Sequence, residues 1–558
     1  RIQCLDELLV VTPIMRLKES FYYYYICYTL WIVTIRGEPT PANADYYIGA
    51  VVEFPALTVS GAASTLKRLG EFRRLLEDAD IRPDIVVFPE GVLNDRQTAI
   101  VVPKPSEAVI PCDADEVYYD YIISRTSCYA RTLSLYVLIN VVEVQNCTQT
   151  GDIENLIANC AIYNTNVVFD RSGTVISRYR KYNLFGSEWL YFNYTTQPEE
   201  EAIFPTDFNV TFGHFTCMDV LYARPAQALV QRGITDFLHP SKWQSQLPFM
   251  TAVQLHQSWA YSNDVNLLVA GTNDPHNGCT GTGIYAGKYG TLIATLTSDE
   301  KQSKLHVSVV PKKYNTTVNT RVMEDFKLAQ SETRVLEDDV LARFTGVALA
   351  RNDNIDLFVT QPLGVLANES ETLQQQLCHN DLCCNFYIER HANLVANVST
   401  SSYYYRLAAF HGIGSFLNTE PEALAVCTLF ACTGDHIYTC GRIYEENVPV
   451  VPSYTFDVIR ITGNFTRKRP SLLLPTSVNS LLMPLAVDAF EWQMVEYSNV
   501  SVVNLTLVQS RADLLTFGIY ANYFLDDTAY DHHNKDAAGG FVAAAWLIWL
   551  SLLMQVYS

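Results

Sequence analysis

A glutamate, a lysine and a cysteine stand where apolar segments of the sequence end, and together they could hydrolyse an amide. Glu90 directly follows DIVVFP, Lys181 lies in RYRKYNLF just after TVISRY, and Cys217 lies in GHFTCMDVL. A thiol with a pKa of about 8.5 needs a nearby base or cation to act as a nucleophile at neutral pH. Glu90 could accept the thiol proton and later activate a water, and Lys181 could stabilise the tetrahedral oxyanion. These residues predict amide hydrolysis through a thioester.

Each of these residues also has an ordinary structural explanation. An acidic residue at a strand end is more often a cap or solvated, and a lone cysteine is more often buried or disulfide-bonded. The sequence contains no G-x-G-x-x-G, Walker A, H-E-x-x-H, G-x-S-x-G or C-x-x-C motif. We therefore expect no cofactor and no metal ion, and we assign no metal to the pair His532-His533.

The elements that must position these residues alternate between strands and helices from residue 45 to 325. Apolar and β-branched runs predict strands at 47–53, 84–89, 136–144, 236–239 and 265–270, and helical spacing predicts helices at 64–78, 226–232 and 248–262. In the first helix we expect Ser64 to be the N-cap and the buried face to comprise Leu66, Leu69, Phe72, Leu75 and Leu76. The alternation predicts a layered α/β domain, whose strand ends are where ligands bind.

From residue 326 to 525 the helix signals become rare. Short β-like runs at 424–429, 454–461 and 500–508 predict a second, smaller and mostly β domain. The whole chain has 558 residues and a net charge of −20, with no basic cluster of the kind that nucleic acid requires. We therefore expect a small-molecule substrate and no nucleic-acid partner.

Several motifs, taken in order, closely resemble the vanin and biotinidase branch of the nitrilase superfamily of carbon–nitrogen hydrolases. They are FPEG, YNTNVVFDRSGTVISRYRKYNLF, GHFTCMDVL, QLHQSWA and GTGIYA, followed by LCHNDLCCNFY and CTLFAC. The resemblance covers nearly the whole chain from about residue 45. It implies a nitrilase-like α-β-β-α sandwich at 45–325 and a β-rich vanin-type C-terminal domain at 326–525.

The same resemblance implies a role for each matching residue. Glu90 would be the general base, Lys181 the proton donor and oxyanion stabiliser, and Cys217 the nucleophile, with Glu188 supporting the site. Two further residues would contact the substrate. The backbone N–H of Met218 would be a second oxyanion donor, and Trp243 would lie in the substrate pocket.

Two positions depart from the vanin pattern and leave the substrate open. Gly91 stands where vanins usually have an acidic residue, and Ser241-Lys242 replaces part of a Phe-Pro-Thr-Ala-Trp pattern, which would put a charge near the pocket mouth.

The leading substrate is a pantetheine-like amide, cleaved to pantothenate and cysteamine. The alternatives are a biotinidase-like amidase acting on biotinyl amides and a catalytically silent surface glycoprotein that only binds. The oligomeric state is left open.

Both ends of the chain carry apolar runs that predict targeting signals. Residues 21–35 are uncharged, follow Arg16 and Lys18, and precede Ala42-Asn43-Ala44, so 1–44 reads as an extension with a secretory signal peptide that could start at Met15. Residues 541–554 form a short apolar tail after a polar spacer, so 526–558 reads as a glycosylphosphatidylinositol (GPI) attachment signal. A buried strand or signal anchor, and a short membrane or packing helix, are the respective alternatives. We expect the protein on the extracellular face of the cell membrane, held by a lipid anchor, or else secreted.

Glycosylation and disulfide bonds would fit that location. Nine N-x-Ser/Thr sequons are candidate glycosylation sites: Asn146, Asn193, Asn209, Asn315, Asn368, Asn397, Asn464, Asn499 and Asn504. Six cysteines of the second domain predict three disulfides of unspecified pairing: Cys378, Cys383, Cys384, Cys427, Cys432 and Cys440. Cys147 and Cys160 are a plausible pair. Cys112, Cys128 and Cys279 cannot all be paired, so at least one of these three thiols should be free.

Overall fold

The computed structural model of the protein describes residues 38–525, apart from 115–117, 146–159, 196–201, 314–339, 365, 367, 394–400 and 418. The apolar runs of both predicted targeting signals lie outside the described residues, as do Asn146, Asn315, Asn397 and the predicted domain boundary at 325/326. Within the described part of the chain, no helix is both long and apolar enough to cross a membrane. The targeting signals and the domain boundaries therefore stay predictions.

Twelve strands of the first domain form two six-stranded halves that are joined at one corner. The first half has the order β5-β4-β3-β2-β1-β13, and the second has the order β6-β7-β8-β10-β11-β12. The strands of the first half are β1 (Tyr46–Pro55), β2 (Ile85–Val87), β3 (Tyr136–Gln145), β4 (Ala161–Phe169), β5 (Val175–Arg180) and β13 (Lys304–Pro311). Those of the second are β6 (Ile203–Pro205), β7 (Thr211–His214), β8 (Asp236–Ser241), β10 (Asn266–Asn273), β11 (Thr282–Ala286) and β12 (Thr291–Thr295). The corner is the short parallel pairing of Phe54 with Thr272.

Helices cover the outer faces of both halves. They are α1 (Ala62–Glu77), α2 (Tyr121–Leu133), α3 (Ala228–Gln231) and α4 (Ala252–Asn263). Side chains of α1 and α2 share an apolar cluster with β1, β2 and β3, while α4 shares one with β10. Between the halves lies a third cluster, in which Tyr47 packs on Phe208 and Phe212. This is the α-β-β-α sandwich that the resemblance implied, so that prediction is confirmed.

The start of α1 differs from the sequence-based expectation. Its N-cap is Gly61, not Ser64, and Leu66 is 42% exposed. The inward position belongs to Thr65, whose hydroxyl donates a hydrogen bond to the Leu93 carbonyl (2.9 Å). Since successive helix residues are rotated by about 100°, Leu66 then points away from the core. The predictions of an N-cap at Ser64 and of a buried Leu66 were wrong.

Two five-stranded antiparallel sheets packed face to face form the second domain. One has the order β15-β18-β19-β24-β21 and the other β16-β17-β20-β23-β22. The strands of the first sheet are β15 (Val359–Pro362), β18 (Tyr404–Phe416), β19 (Glu420–Cys432), β21 (Ser471–Asn479) and β24 (Leu514–Tyr523). Those of the second are β16 (Ser370–His379), β17 (Leu382–Ala392), β20 (Tyr454–Thr466), β22 (Phe490–Glu496) and β23 (Val500–Leu507). A two-residue strand of this domain, β14 (Ala350–Arg351), pairs with β9 (Gln246–Leu247) of the first domain.

The disulfides agree with the cysteine predictions wherever the chain is described. The second domain contains three: Cys378–Cys383, Cys384–Cys427 and Cys432–Cys440. In the first domain Cys112 is bonded to Cys128, which leaves Cys279 as a free thiol. Cys160 is disulfide-bonded, and Cys147, its predicted partner, lies outside the described residues. Among the described sequons, Asn504 is half-buried and the other five asparagines are exposed.

The two domains share a buried interface that includes α4. The Ser258 hydroxyl donates to the Pro475 carbonyl (2.7 Å), and the Gln254 side-chain amide donates to the Thr476 hydroxyl (2.7 Å). Nearer the predicted nucleophile, the Asn522 side-chain amide donates to the Leu221 carbonyl (2.6 Å). The second domain is therefore packed against the segment of chain that follows Cys217.

Candidate active site

Glu90 lies at the carboxyl end of β2, and four hydrogen bonds hold it in place. Its carboxylate accepts from the Asn164 side-chain amide (2.8 Å), the Lys181 ammonium (2.9 Å) and the Lys242 backbone N–H (2.9 Å). Its own carbonyl accepts from the Thr272 hydroxyl (2.6 Å). Burial by itself raises the pKa of Glu90, but the Lys181 charge and these hydrogen bonds outweigh it and leave the pKa below its usual value. Glu90 is therefore ionised at neutral pH.

Lys181 follows β5 directly and is buried between two carboxylates. Its ammonium nitrogen lies 2.9 Å from Glu90 Oε1 and 2.8 Å from Glu188 Oε2. Burial lowers the pKa of Lys181, but the negative charges of Glu188 and Glu90 raise it by more. The pKa of Lys181 is therefore well above its usual value. Burial and the neighbouring Glu90 charge raise the pKa of Glu188. We call Glu90, Lys181 and Glu188 the carboxylate–lysine cluster, and the structure brings its three predicted members together.

Cys217 follows β7 and begins a single 3₁₀ turn with a left-handed backbone (φ +45°). Asp219 fixes this turn, because its carboxylate accepts the Thr216 backbone N–H (2.9 Å) and the Tyr179 hydroxyl (2.6 Å). It also accepts the backbone N–H (2.9 Å) and the side-chain amide (2.8 Å) of Asn183. Burial raises the pKa of Asp219 to about 6 in spite of these donors. The turn thus holds the predicted nucleophile in a conformation that an L-residue rarely adopts.

The Cys217 thiol is buried beside the carboxylate–lysine cluster. Burial and the Glu90 charge raise the pKa of this thiol well above its usual value, while the Lys181 charge and a hydrogen bond from the Lys242 backbone N–H lower it. The resting cysteine is therefore protonated. The Lys242 backbone N–H donates to Glu90, and the Glu90 charge acts directly on the Cys217 thiol, so the thiol lies near an ionised carboxylate that can accept its proton.

The remaining predicted positions border this centre. Met218 and Trp243 are buried and share one apolar cluster with Cys217, and the Trp243 indole N–H donates to the Met250 carbonyl (2.9 Å). The Lys242 side chain is 41% exposed and forms an ion pair with Asp274 (3.0 Å). The unusual charge at this position is thus paired with a carboxylate.

The structure also accounts for the other departure from the vanin pattern. Gly91 has a positive φ of 66°, a conformation that glycine adopts without the strain of other residues. Its N–H donates to the Asn140 side-chain oxygen (3.0 Å), which ties the loop after Glu90 to β3.

Sequence reasoning missed two residues that shape the site, Asn164 and Asp219. Asn164 lies on β4, where Asn140 of β3 donates hydrogen bonds to both Asn164 (2.7 Å) and Asn166 (2.9 Å). Two asparagines within the apolar stretch IYNTNVVF are a detectable signal, since buried polar side chains need partners. No comparable sequence signal exists for Asp219. Among the described residues, no group of three or more His, Cys, Asp and Glu side chains could hold a metal ion.

Comparison with known proteins identifies the family. A carbon–nitrogen hydrolase model matches residues 81–306, and a vanin C-terminal domain model matches 347–527. Vanin-like protein 1 of Drosophila melanogaster is 36% identical over 503 residues, which cover 88% of this chain and 88% of that protein. The chain belongs to the vanin family of carbon–nitrogen hydrolases. Human pantetheinase, another relative of this vanin, is 30% identical over 557 residues, 95% of this chain and 98% of its own.

Membership of this family identifies the type of bond that the enzyme cleaves. This vanin is an amidohydrolase that acts on carbon–nitrogen bonds. Vanin-like protein 2 of Drosophila melanogaster, 34% identical over 92% of this chain and 96% of its own, belongs to the same group of relatives. Their names leave the substrate of this chain open.

Proposed function

We propose that this vanin hydrolyses a pantetheine-like amide to pantothenate and cysteamine through a thioester on Cys217. The observation that carries the proposal is the buried carboxylate–lysine cluster, whose Glu90 and Lys181 charges both act on the buried Cys217 thiol. The substrate class is supported by relatives named pantetheinase in dog, mouse and human.

In the first step, Cys217 Sγ attacks the amide carbon while Glu90 accepts the thiol proton. The carbonyl π electrons move to oxygen, and Lys181 stabilises the resulting oxyanion together with the Met218 backbone N–H. Collapse of this tetrahedral intermediate breaks the carbon–nitrogen bond. Lys181 donates a proton to the leaving nitrogen and takes up the proton held by Glu90, 2.9 Å away, so that it remains an ammonium. The amine, cysteamine, departs and the acyl group stays on sulfur.

In the second step, water attacks the thioester carbon and Glu90 accepts a water proton. The carbon–sulfur bond breaks, the thiol regains the proton, and the acid, pantothenate, is released. Glu188 holds Lys181 from the side opposite Glu90, so that the ammonium stays charged and positioned through both steps. Trp243 contributes an apolar wall to the pocket.

We also propose that the enzyme is an extracellular glycoprotein attached by a GPI anchor. Its disulfide bonds support an oxidising compartment. The exposed sequons Asn193, Asn209, Asn368, Asn464 and Asn499 are accessible to glycosylation, while Asn146, Asn315, Asn397 and Asn504 remain predicted sites on the sequence motif alone. Release of the protein from intact cells by phosphatidylinositol-specific phospholipase C would support the anchor. Retention on the membrane would argue against it.

The decisive experiment measures amine release from pantetheine and from biotinyl-lysine by the purified secreted form and by its Cys217→Ala variant. We expect release from pantetheine by the wild-type protein only. Equal release by both proteins would contradict the assignment of Cys217. Faster release from biotinyl-lysine would favour a biotinidase-like enzyme, and no release from any amide would favour a binding glycoprotein.

A further inference from the structure

The hairpin between β18 and β19 of the second domain reaches into the catalytic domain. Phe416, the last residue of β18, is only 2% exposed although it lies at a hairpin tip. Its ring belongs to the same apolar cluster as Cys217, Met218 and Trp243. A tip residue is ordinarily solvated, so this burial shows that the catalytic domain receives the ring.

Two aromatic residues of the catalytic domain contact the Phe416 ring. Its centroid lies 5.3 Å from that of Trp243 and 5.8 Å from that of Phe185. These are distances at which aromatic rings attract one another. Thr419 of the same tip lies near Gly186, its Cγ2 being 3.9 Å from where a Cβ would stand on that glycine. The tip therefore braces two separate loops of the catalytic domain.

Each of these loops holds one carboxylate of the carboxylate–lysine cluster. The Phe185 backbone N–H donates to Glu188 Oε2 (2.8 Å), the oxygen that lies 2.8 Å from the Lys181 nitrogen. Trp243 directly follows Lys242, whose backbone N–H donates to Glu90 Oε2 (2.9 Å). Phe416 thus packs against Phe185, which is itself the donor to Glu188, and against Trp243, which adjoins the donor to Glu90.

Two hydrogen bonds tie Thr419 to Phe416. The Thr419 backbone N–H and hydroxyl both donate to the Phe416 carbonyl (3.0 Å each). Leu417 has a left-handed backbone, with φ of 50°, which a leucine adopts only when its surroundings impose it. Strain of this kind is common where a structure fixes a functional geometry.

We propose that Phe416 is a positioning residue for the hydrolysis, through which the second domain sets the geometry of the carboxylate–lysine cluster. This inference rests on the proposed function for its turnover measurements. If it is correct, residues of both domains are needed for full activity.

The test compares Phe416→Ala with Phe410→Ala in the purified secreted form of the full chain. Phe410 lies on the same strand, belongs to the same apolar cluster and is 3% exposed, but the ring partners that the structure describes for it are Phe358 (4.7 Å) and His379 (5.1 Å). Both variants lose a similarly buried ring, but the ring contacts with Phe185 and Trp243 described above are those of Phe416. A third variant, Phe416→Leu, restores most of the lost volume and keeps the test valid if Phe416→Ala does not fold.

We expect Phe416→Ala to lower kcat about tenfold or more, as positioning residues do, with a smaller change in KM. A loosened Lys181 would stabilise the Glu90 carboxylate less, so the pKa of Glu90 rises and the acid limb of kcat/KM moves to higher pH. Phe416→Leu should recover most of kcat. Phe410→Ala should keep kcat within about twofold and leave the pH profile unchanged.

Equal losses in the two alanine variants, or an unchanged pH profile in Phe416→Ala, would overturn the inference. If the wild-type protein hydrolyses no amide, the proposed function fails, and alkylation of Cys217 by iodoacetamide decides the inference separately. A shift of the alkylation pH profile in Phe416→Ala but not in Phe410→Ala would support it, and identical profiles would refute it.

Discussion

Replacing Glu188 by Gln tests how the carboxylate–lysine cluster works. The substitution keeps an oxygen that can accept the Lys181 hydrogen bond but removes the negative charge 2.8 Å from the ammonium. Lys181 retains Glu90 as a partner at 2.9 Å. The variant therefore changes the charge of the cluster while largely preserving its shape.

The effect on stability follows from the geometry. Two unit charges 2.8 Å apart attract each other by roughly 6 kcal/mol at an effective dielectric constant of about 20. The net loss is smaller, because Gln still hydrogen-bonds, Glu90 still pairs with Lys181, and the Glu188 side chain is 25% exposed. We expect the free energy of unfolding to fall by about 2 kcal/mol, below the cost of fully orphaning a buried charge.

The effect on the thiol follows from the sign of the Glu188 charge. The Glu188 charge raises the pKa of Cys217, so Glu188→Gln should lower that pKa and move thiol alkylation to lower pH. Glu188 and Glu90 also repel each other, so without Glu188 the Glu90 carboxylate becomes a weaker base. We expect kcat/KM to fall by about 10–100-fold, as for other residues that orient catalytic groups.

The assay follows carboxamidomethylation of Cys217 by peptide mass mapping, which separates it from the free Cys279, alongside amine release and urea unfolding. Glu371→Gln is the matched control, because Glu371 (38% exposed) pairs with the buried Arg390 in the second domain. It should lose similar stability and keep the wild-type thiol profile. An alkylation profile of Glu188→Gln that is unchanged or moved to higher pH would refute the electrostatic reasoning.

Three further variants have expected outcomes of different kinds. Asn164→Ala removes a donor to Glu90, so the pKa of Glu90 should rise and the acid limb of kcat/KM should move up by about one pH unit; an unmoved limb would contradict this. Lys242→Ala keeps the backbone donor and breaks only a partly exposed ion pair, so thermal unfolding should show a loss below about 1 kcal/mol, with kcat near wild type. Replacing Cys384 and Cys427 by Ala opens a disulfide with a sequence separation of 43 that joins the two sheets of the second domain. Urea unfolding should show a loss of about 4 kcal/mol, and an unaltered midpoint would contradict it.

The first helix and the active site show what local sequence signals can predict and where they fail. The apolar spacing located α1 and most of its buried face, but the choice between Thr65 and Leu66 depended on the Leu93 carbonyl, a partner 28 residues away. Likewise, motifs located Glu90 and Lys181, yet their contact spans 91 residues and the Lys242 contact spans 152. Such contacts leave no periodic trace, because their spacing depends on how whole elements pack.

By itself, the sequence determined the residue types that carry the chemistry, the alternation that makes an α/β sandwich, the β-rich second domain and the six cysteines that form its three disulfides. These features follow from local patterns and recognisable motifs, which do not depend on how distant parts of the chain pack together. Only the tertiary structure decided that the Lys242 backbone N–H donates to Glu90 and that burial leaves the Cys217 thiol protonated. It alone placed Phe416 against Phe185 and Trp243. The physical reason is that burial and charge proximity are properties of residues brought together from distant parts of the chain.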